Sequence, residues 1–504
     1  MKNLKLKRDF FAGEIYPILM SVLLLIGYFG KIEVYTAALN CLIVAFALLY
    51  SNSIKPLIFF TLTFFYQITV ANSPTDPKPS DNYFTGLRPY IFVFSAVVLV
   101  VSVFIFIFKN KLFTKMNFFK IPLFVPMLVL SAGFLANGLL NANYTVANLL
   151  WGLGLVLCFV LLFLLFYVSL SDSDPKELTN YFVHITMLMT WILLAEFAGC
   201  LLSGNYITAS GSINRGAIVL GMGGCNEVGF HLSMLIPVNF YGFMKGKRPY
   251  LSLVSAFAVY GATLLSTSRN SMLVGSAYFF ICLILSMFVG DRKKVARIMI
   301  PCGVVAAIVG FVIFREPILA VVKHYLDRGM GDSGRFRIWK DAFNLFLENP
   351  IFGTGFYGFK VGLDGGLIVP IIPEFAHNTV FELLGATGGF GFLCYGFYRI
   401  CTIKYLVHKP TLDRFMLMLG ASMLAAESLL DNYVFHIFSG FYYTVALVIA
   451  CLLYTRQFAP KAEVSEFIEN EAPSEEESSE ETDNSQFIEN ISEMLKESSD
   501  ILNS

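Results

Sequence analysis

The sequence predicts an all-α polytopic membrane protein of about 12–14 transmembrane helices, with a large external loop that carries an amphipathic helix. Three observations predict it. Hydrophobic residues make up 56% of the 504 residues and charged ones only 14%, against about 25% charged in an ordinary soluble domain. Aromatic residues reach 15%, so too little polar surface remains to cover a globule in water. Lys and Arg, finally, punctuate the gaps between long apolar runs.

A spanning helix needs about 20 mostly apolar residues. Such runs lie near 12–30, 34–50, 54–71, 90–108, 121–138, 147–170, 180–202, 226–244, 249–267, 270–290, 297–314, 376–398, 413–430 and 435–454, fourteen in all. The weakest are 34–50, which is short, the nearly continuous pair 249–267 and 270–290, and 413–430, which contains Glu427. The basic N-terminus, MKNLKLKRDFFAGE, has no cleavage signal after it and reads as a cytoplasmic anchor.

Orientation follows from basic residues in the short loops. With the N-terminus inside, cytoplasmic segments hold twenty-one Lys and Arg, and short external loops hold five: Lys31, Lys78, Arg88, Arg215 and Arg269. Both termini are therefore expected in the cytoplasm, and the long loop 315–375 outside. Residues 1–456 form the membrane domain, and 457–504 an acidic, Ser-rich tail in which SEFIEN at 465–470 returns as SQFIEN at 485–490. That composition buries too little apolar area to offset ordering entropy, so the tail is expected to be disordered.

The formal net charge is zero and no basic face appears, which argues against a nucleic-acid partner. The nine cysteines nearly all sit inside apolar runs without CxxC or Cys/His spacing, so neither a zinc site nor a disulfide framework is expected. No metal site and no cofactor is predicted.

The external loop is not featureless. In GDSGRFRIWKDAFNLFLENPIFGTGFYGF, Ser333 is an N-cap candidate, and Phe336, Trp339, Phe343 and Phe346/Leu347 recur at helical spacing. Asn349-Pro350 ends the helix, and Gly353, Gly355 and Gly358 permit tight backbone geometry. The aromatic face is expected to lie against the membrane domain. Arg335 opens this helix, where free backbone N–H groups and the dipole favour an anion. Its planar fork suits phosphate oxygens, although a surface pairing with Asp332 or Asp341 would explain it too.

Three further residues map to the same side. Arg215 lies in a Gly-rich external stretch, Arg269 at the turn between two apolar runs, and His377 where the long loop re-enters the membrane. Each alone has an ordinary reading, an arginine snorkelling to headgroups or an interfacial histidine. Together they suit a pyrophosphate held by arginines and a general base with a pKa near 6.5. Among the acidic residues Glu196, Glu227, Glu382, Glu427 and Asp431, one is a candidate to orient His377 or to balance an arginine.

The ordered set Arg215-Gly216…Asn226, Ser268-Arg269, Ser333-Gly334-Arg335 with Trp339, Gly353 and Gly355, His377-Asn378, and Gly388-Gly389 with Gly391 resembles the O-antigen ligase/polymerase superfamily. The resemblance covers roughly 210–400. It implies an integral-membrane, GT-C-like, metal-independent inverting glycosyltransferase. The donor would be a glycan on undecaprenyl pyrophosphate, and the acceptor a glycan or lipid-glycan hydroxyl. By this resemblance Arg215, Arg269 and Arg335 hold the pyrophosphate and His377 is the base, with Asn378, Trp339 and Asn226 in support. Phe375 stands where many relatives carry a second histidine, so a paired-histidine mechanism is not implied. Competing readings are a lipid-linked oligosaccharide flippase or other transporter, and a scaffold that meets envelope-assembly partners through its tail. Transporters place their polar groups at the bilayer midplane, whereas these lie at the interface.

Overall fold

The computed structural model describes residues 10–458 apart from 68–85, 113, 115–117, 143, 204, 209–211, 314, 329–333, 357–375 and 432. The acidic tail, Ser333, Asp332 and Gly358 lie outside the described residues. Among the described residues there are helices and two isolated β-bridges, and no strand.

The N-terminal half is built from α1 (Ile15–Gly30), α2 (Glu33–Ser51), α3 (Lys55–Gln67), α4 (Arg88–Lys109), α5 (Phe124–Leu140), α6 (Val146–Leu170) and α7 (Pro175–Leu202). Then follow α8 (Cys225–Met234), α9 (Ile236–Lys245), α10 (Pro249–Leu265), α11 (Arg269–Phe288) and α12 (Lys293–Ile313). The chain closes with α13 (Arg315–Arg328), α14 (Arg335–Glu348), α15 (Thr379–Val407), α16 (Leu412–Glu427) and α17 (Ile437–Phe458). Local chemistry sets the starts. Thr145, Asp174, Ser268 and Thr411 each cap a helix by accepting a first-turn backbone N–H, and Pro175 fills the first position of α7.

Eight of these helices are long and apolar enough to cross a membrane, and α1, α5 and α10 are shorter apolar helices. Their outward faces are lipid-like. On α4, Tyr90, Val93, Phe94, Val97, Val100, Phe104 and Phe108 are exposed, while Ser95, Leu99, Ser102 and Phe106 are buried. The chain is an all-α, multi-pass membrane protein.

Two expectations are corrected. The run 226–244 is not one helix: it breaks at Leu235, and Pro237 in the first turn of α9 removes the backbone donor that would continue α8. The face of α14 is also rotated. Ile338, Ala342 and Leu345 turn toward the protein, whereas Phe336, Phe343 and Leu347 are 67%, 42% and 60% exposed. Ala342 explains this, because its small side chain lets α14 lie directly on Gly385. Of the aromatic stripe, Trp339 does pack down, stacked on Phe381 at 5.3 Å between ring centroids.

The paired glycines are a packing device. Residues 353–355 hydrogen-bond to a π-turn of α15, Leu383–Thr387, through Thr354 N to Gly385 O at 3.0 Å and Gly355 N to Ala386 O at 2.9 Å. Gly353 has φ 69°, and a Cβ there would meet Gly388 N at 2.7 Å. Gly353→Ala is therefore expected to lower stability by about 2 kcal/mol or more, read as a fall in the thermal midpoint of the detergent-solubilised protein.

Candidate active site

The site is organised by the five residues that end α16 and follow it, Glu427 to Asp431. Several backbone and side-chain acceptors in this segment take donors from elements other than α16. The Glu427 carbonyl accepts from Asn270 Nδ2 at 2.9 Å, in the first turn of α11. The Ser428 carbonyl accepts from both Thr379 N and Thr379 Oγ1 at 2.9 Å, and the Leu429 carbonyl from Asn378 Nδ2 at 2.7 Å. Asp431, 5% exposed, ends the series.

His377 is held in a conformation it would not choose alone. Its φ is 51°, in the left-handed region that is uncommon for a non-glycine residue. The neighbours fix it: Ala376 N donates to Glu382 Oε2 at 2.6 Å, Asn378 caps α15, and Asn378 and Thr379 are tied to α16 as above. The result aims the imidazole at Asp431, with Nδ1 2.8 Å from Asp431 Oδ1. The hydrogen bond from Nδ1–H leaves Nε2 as the free ring nitrogen on a side chain that is 42% exposed.

The charges reinforce one another. The Asp431 hydrogen bond raises the His377 pKa above the ordinary histidine value, outweighing burial and the Arg335 charge. Burial pushes the Asp431 carboxyl up, but the His377 hydrogen bond and charge, with Arg335, hold it below the usual carboxylate range. Asp431 Oδ2 also accepts from Tyr433 Oη at 3.2 Å.

Arg335 is the first residue of α14, as its sequence context implies, but it faces Asp431 rather than Asp341. Its Nη2 lies 3.9 Å from Asp431 Oδ2, with the side chain 25% exposed. Gly334, φ 80°, occupies the N-cap position and has no side chain to cap the first-turn N–H groups. Arginine fork and helix N-terminus thus stand together beside the His377–Asp431 pair.

Arg215 opens a short 3₁₀ turn and donates from Nη2 to Asn226 Oδ1 at 2.7 Å. Asn226 lies in the first turn of α8, and its neighbour Glu227 lies within electrostatic reach of both Asp431 and His377. Arg269 is the first residue of α11, beside the Asn270 that bonds Glu427. The structure thus gathers the starts of α8, α11, α14 and α15 around the end of α16. It brings Arg335 and His377 onto one carboxylate and ties Asn270, next to Arg269, to the Glu427 carbonyl, while Arg215 is held by Asn226 in the first turn of α8.

In the sequence Asp431 is one of five acidic candidates of equal standing. The distances rank them: Asp431 pairs with His377, Glu382 holds the backbone before it, Glu427 anchors α11, and Glu196 is buried within α7. Asn378 caps α15, and Trp339 stacks on Phe381.

An all-helical membrane protein with a histidine, a carboxylate and arginines at one end of its bundle defines the class. Residues 253–396 match the family model described as O-antigen ligase, a similarity over part of the chain that supports the resemblance to the O-antigen ligase/polymerase superfamily and a ligase- or polymerase-type function in polysaccharide assembly. The matched stretch holds Arg269, Arg335 and His377, while Arg215 and the Glu427–Asp431 segment lie outside it. No curated protein sequence matches the chain.

Proposed function

We propose that this protein transfers a glycan from undecaprenyl pyrophosphate to a sugar hydroxyl, with inversion at the anomeric carbon, at the outer face of the cytoplasmic membrane. The observation that carries the reading is the shared Asp431 carboxylate, which holds His377 at 2.8 Å and Arg335 at 3.9 Å. The acceptor hydroxyl gives its proton to His377 Nε2 as its oxygen forms the new bond to the anomeric carbon. The bond from that carbon to the pyrophosphate oxygen breaks, and the lipid pyrophosphate leaves with the electron pair. Arg335, Arg215 and Arg269 take up the charge that grows on it. Asp431 stabilises the imidazolium formed at His377.

Both termini are assigned to the cytoplasm on the Lys/Arg asymmetry. Lengthening one chain of repeat units is favoured over capping a separate core glycan. The acidic tail is proposed as a handle for envelope-assembly partners.

The test uses the purified full-length protein with an undecaprenyl-pyrophosphate-linked repeat unit. Arg335→Ala is expected to cut turnover about 10²-fold or more by removing a leaving-group contact. Undiminished product in both Arg335→Ala and His377→Ala would sink the enzymatic assignment.

A further inference from the structure

We infer that Glu427 is a positioning residue for Arg269, acting through a hydroxyl relay that pins the first turn of α11; the inference rests on Arg269 being a pyrophosphate ligand. Glu427 is fully buried at the end of α16. Its two carboxylate oxygens take different donors: Ser233 Oγ of α8 at 2.6 Å and Ser271 Oγ of α11 at 2.8 Å. Ser268 Oγ donates to Ser271 Oγ at 3.0 Å, and in return Ser268 Oγ accepts the Ser271 backbone N–H at 3.4 Å as the cap of α11. Arg269 sits between these two serines.

The turn so pinned has no freedom to spare. Thr267, just before it, has φ 61°, a conformation that persists only when its surroundings enforce it. From the other side Gly229 of α8 touches the turn so closely that a Cβ there would meet Ser266 Oγ at 2.6 Å and Ser268 Cβ at 2.9 Å. Glu427 is the acceptor on which these contacts converge, since its carbonyl also holds Asn270. A buried carboxylate that spends both oxygens on serines fixes a geometry. Here the geometry fixed is the direction in which Arg269 leaves the helix, and the same five-residue segment fixes His377 through Asp431. The leaving-group arginine and the base are thereby held in one frame.

The experiment measures binding of inorganic pyrophosphate to the full-length protein in detergent, with thermal midpoints recorded alongside. Arg269→Ala should weaken pyrophosphate binding, and Ser271→Ala and Glu427→Leu should each weaken it about tenfold. Glu427→Gln, which keeps an acceptor oxygen and offers an amide to the other serine, should stay within about threefold of wild type. Adding Ser271→Ala to Arg269→Ala should cost nothing further, because a positioning residue acts only through the group it positions. If Ser271→Ala and Glu427→Leu lower the midpoint but bind as wild type while Arg269→Ala binds weakly, the positioning role is overturned and the glycosyl-transfer reading stands. If Arg269→Ala itself binds as wild type, the pyrophosphate role of Arg269 falls, and this inference with it. Should Glu427→Leu fail to fold, Ser271→Ala, which deletes one oxygen, decides the matter alone.

Discussion

His377→Ala is expected to lower glycosyl transfer by about 10³-fold, within the range that general bases contribute, with little change in the amount of folded protein. Removal of the ring takes away the proton acceptor for the attacking hydroxyl, while Arg335 and Asp431 lose only a neighbour. Because His377 is 42% exposed and makes its polar bond to Asp431, the loss of packing is small. Left behind is a carboxylate with Tyr433 and Arg335 still beside it, so the vacated site remains polar and partnered. Product formation from a lipid-linked repeat unit, followed as chain length against time, checks the rate. A thermal midpoint near that of wild type separates lost chemistry from lost fold.

The same residue sets a pH dependence. A base works only when deprotonated, and Asp431 raises the pKa of His377 above the ordinary value. Activity should therefore fall on the acid side of neutrality with a midpoint higher than about 6.5, the value for an unperturbed histidine. Stability carries the opposite sign. A group whose folded pKa is raised gives its full stabilisation below its unfolded pKa, and loses it as pH rises through the folded one. Activity and the His377 contribution to stability thus change in opposite directions across the same window. Asp431, whose folded pKa is depressed, contributes above its unfolded value and loses that contribution only in acid.

Much of the fold could be read from the sequence because lipid imposes one strong rule: long apolar runs become helices. The expected runs at 90–108, 147–170 and 180–202 became α4, α6 and α7 with shifts of a few residues. Where the rule fell silent the reading failed. At 226–244 hydrophobicity is continuous, but Pro237 interrupts the hydrogen-bond ladder, and hydropathy does not register a missing donor. On α14 the aromatic spacing named a face correctly by period, yet one alanine, Ala342, decides which face touches the protein, because close approach rewards small size. The site was half legible. Arg335 and His377 announce themselves by residue type and by their place at helix starts. Asp431 does not, since it lies 54 residues beyond His377 and beyond a whole helix hairpin. Only packing of α15 against α16 makes them neighbours.

Asp431→Asn is expected to reduce turnover roughly 10³-fold while retaining shape, a larger loss than its distance from the substrate would suggest. An asparagine side chain can present an amide N–H to His377 where the carboxylate presents an acceptor. The neutral imidazole then places its proton on Nε2 and accepts at Nδ1. The nitrogen that must take the acceptor proton is already protonated, so the base is lost without any atom moving far. The charge of Asp431 is lost as well, so the imidazolium formed in the reaction has no carboxylate beside it, and Arg335 is left with a neutral partner at 3.9 Å. Two signatures distinguish this from general damage. The acid limb of the pH profile should move to lower pH, because the group that raises the His377 pKa has been neutralised. Asp431→Glu, which restores the charge on a longer arm, should recover part of the rate and return the limb toward its wild-type position. An Asp431→Asn variant with wild-type turnover and an unmoved acid limb would show that the 2.8 Å contact serves the fold and not the proton.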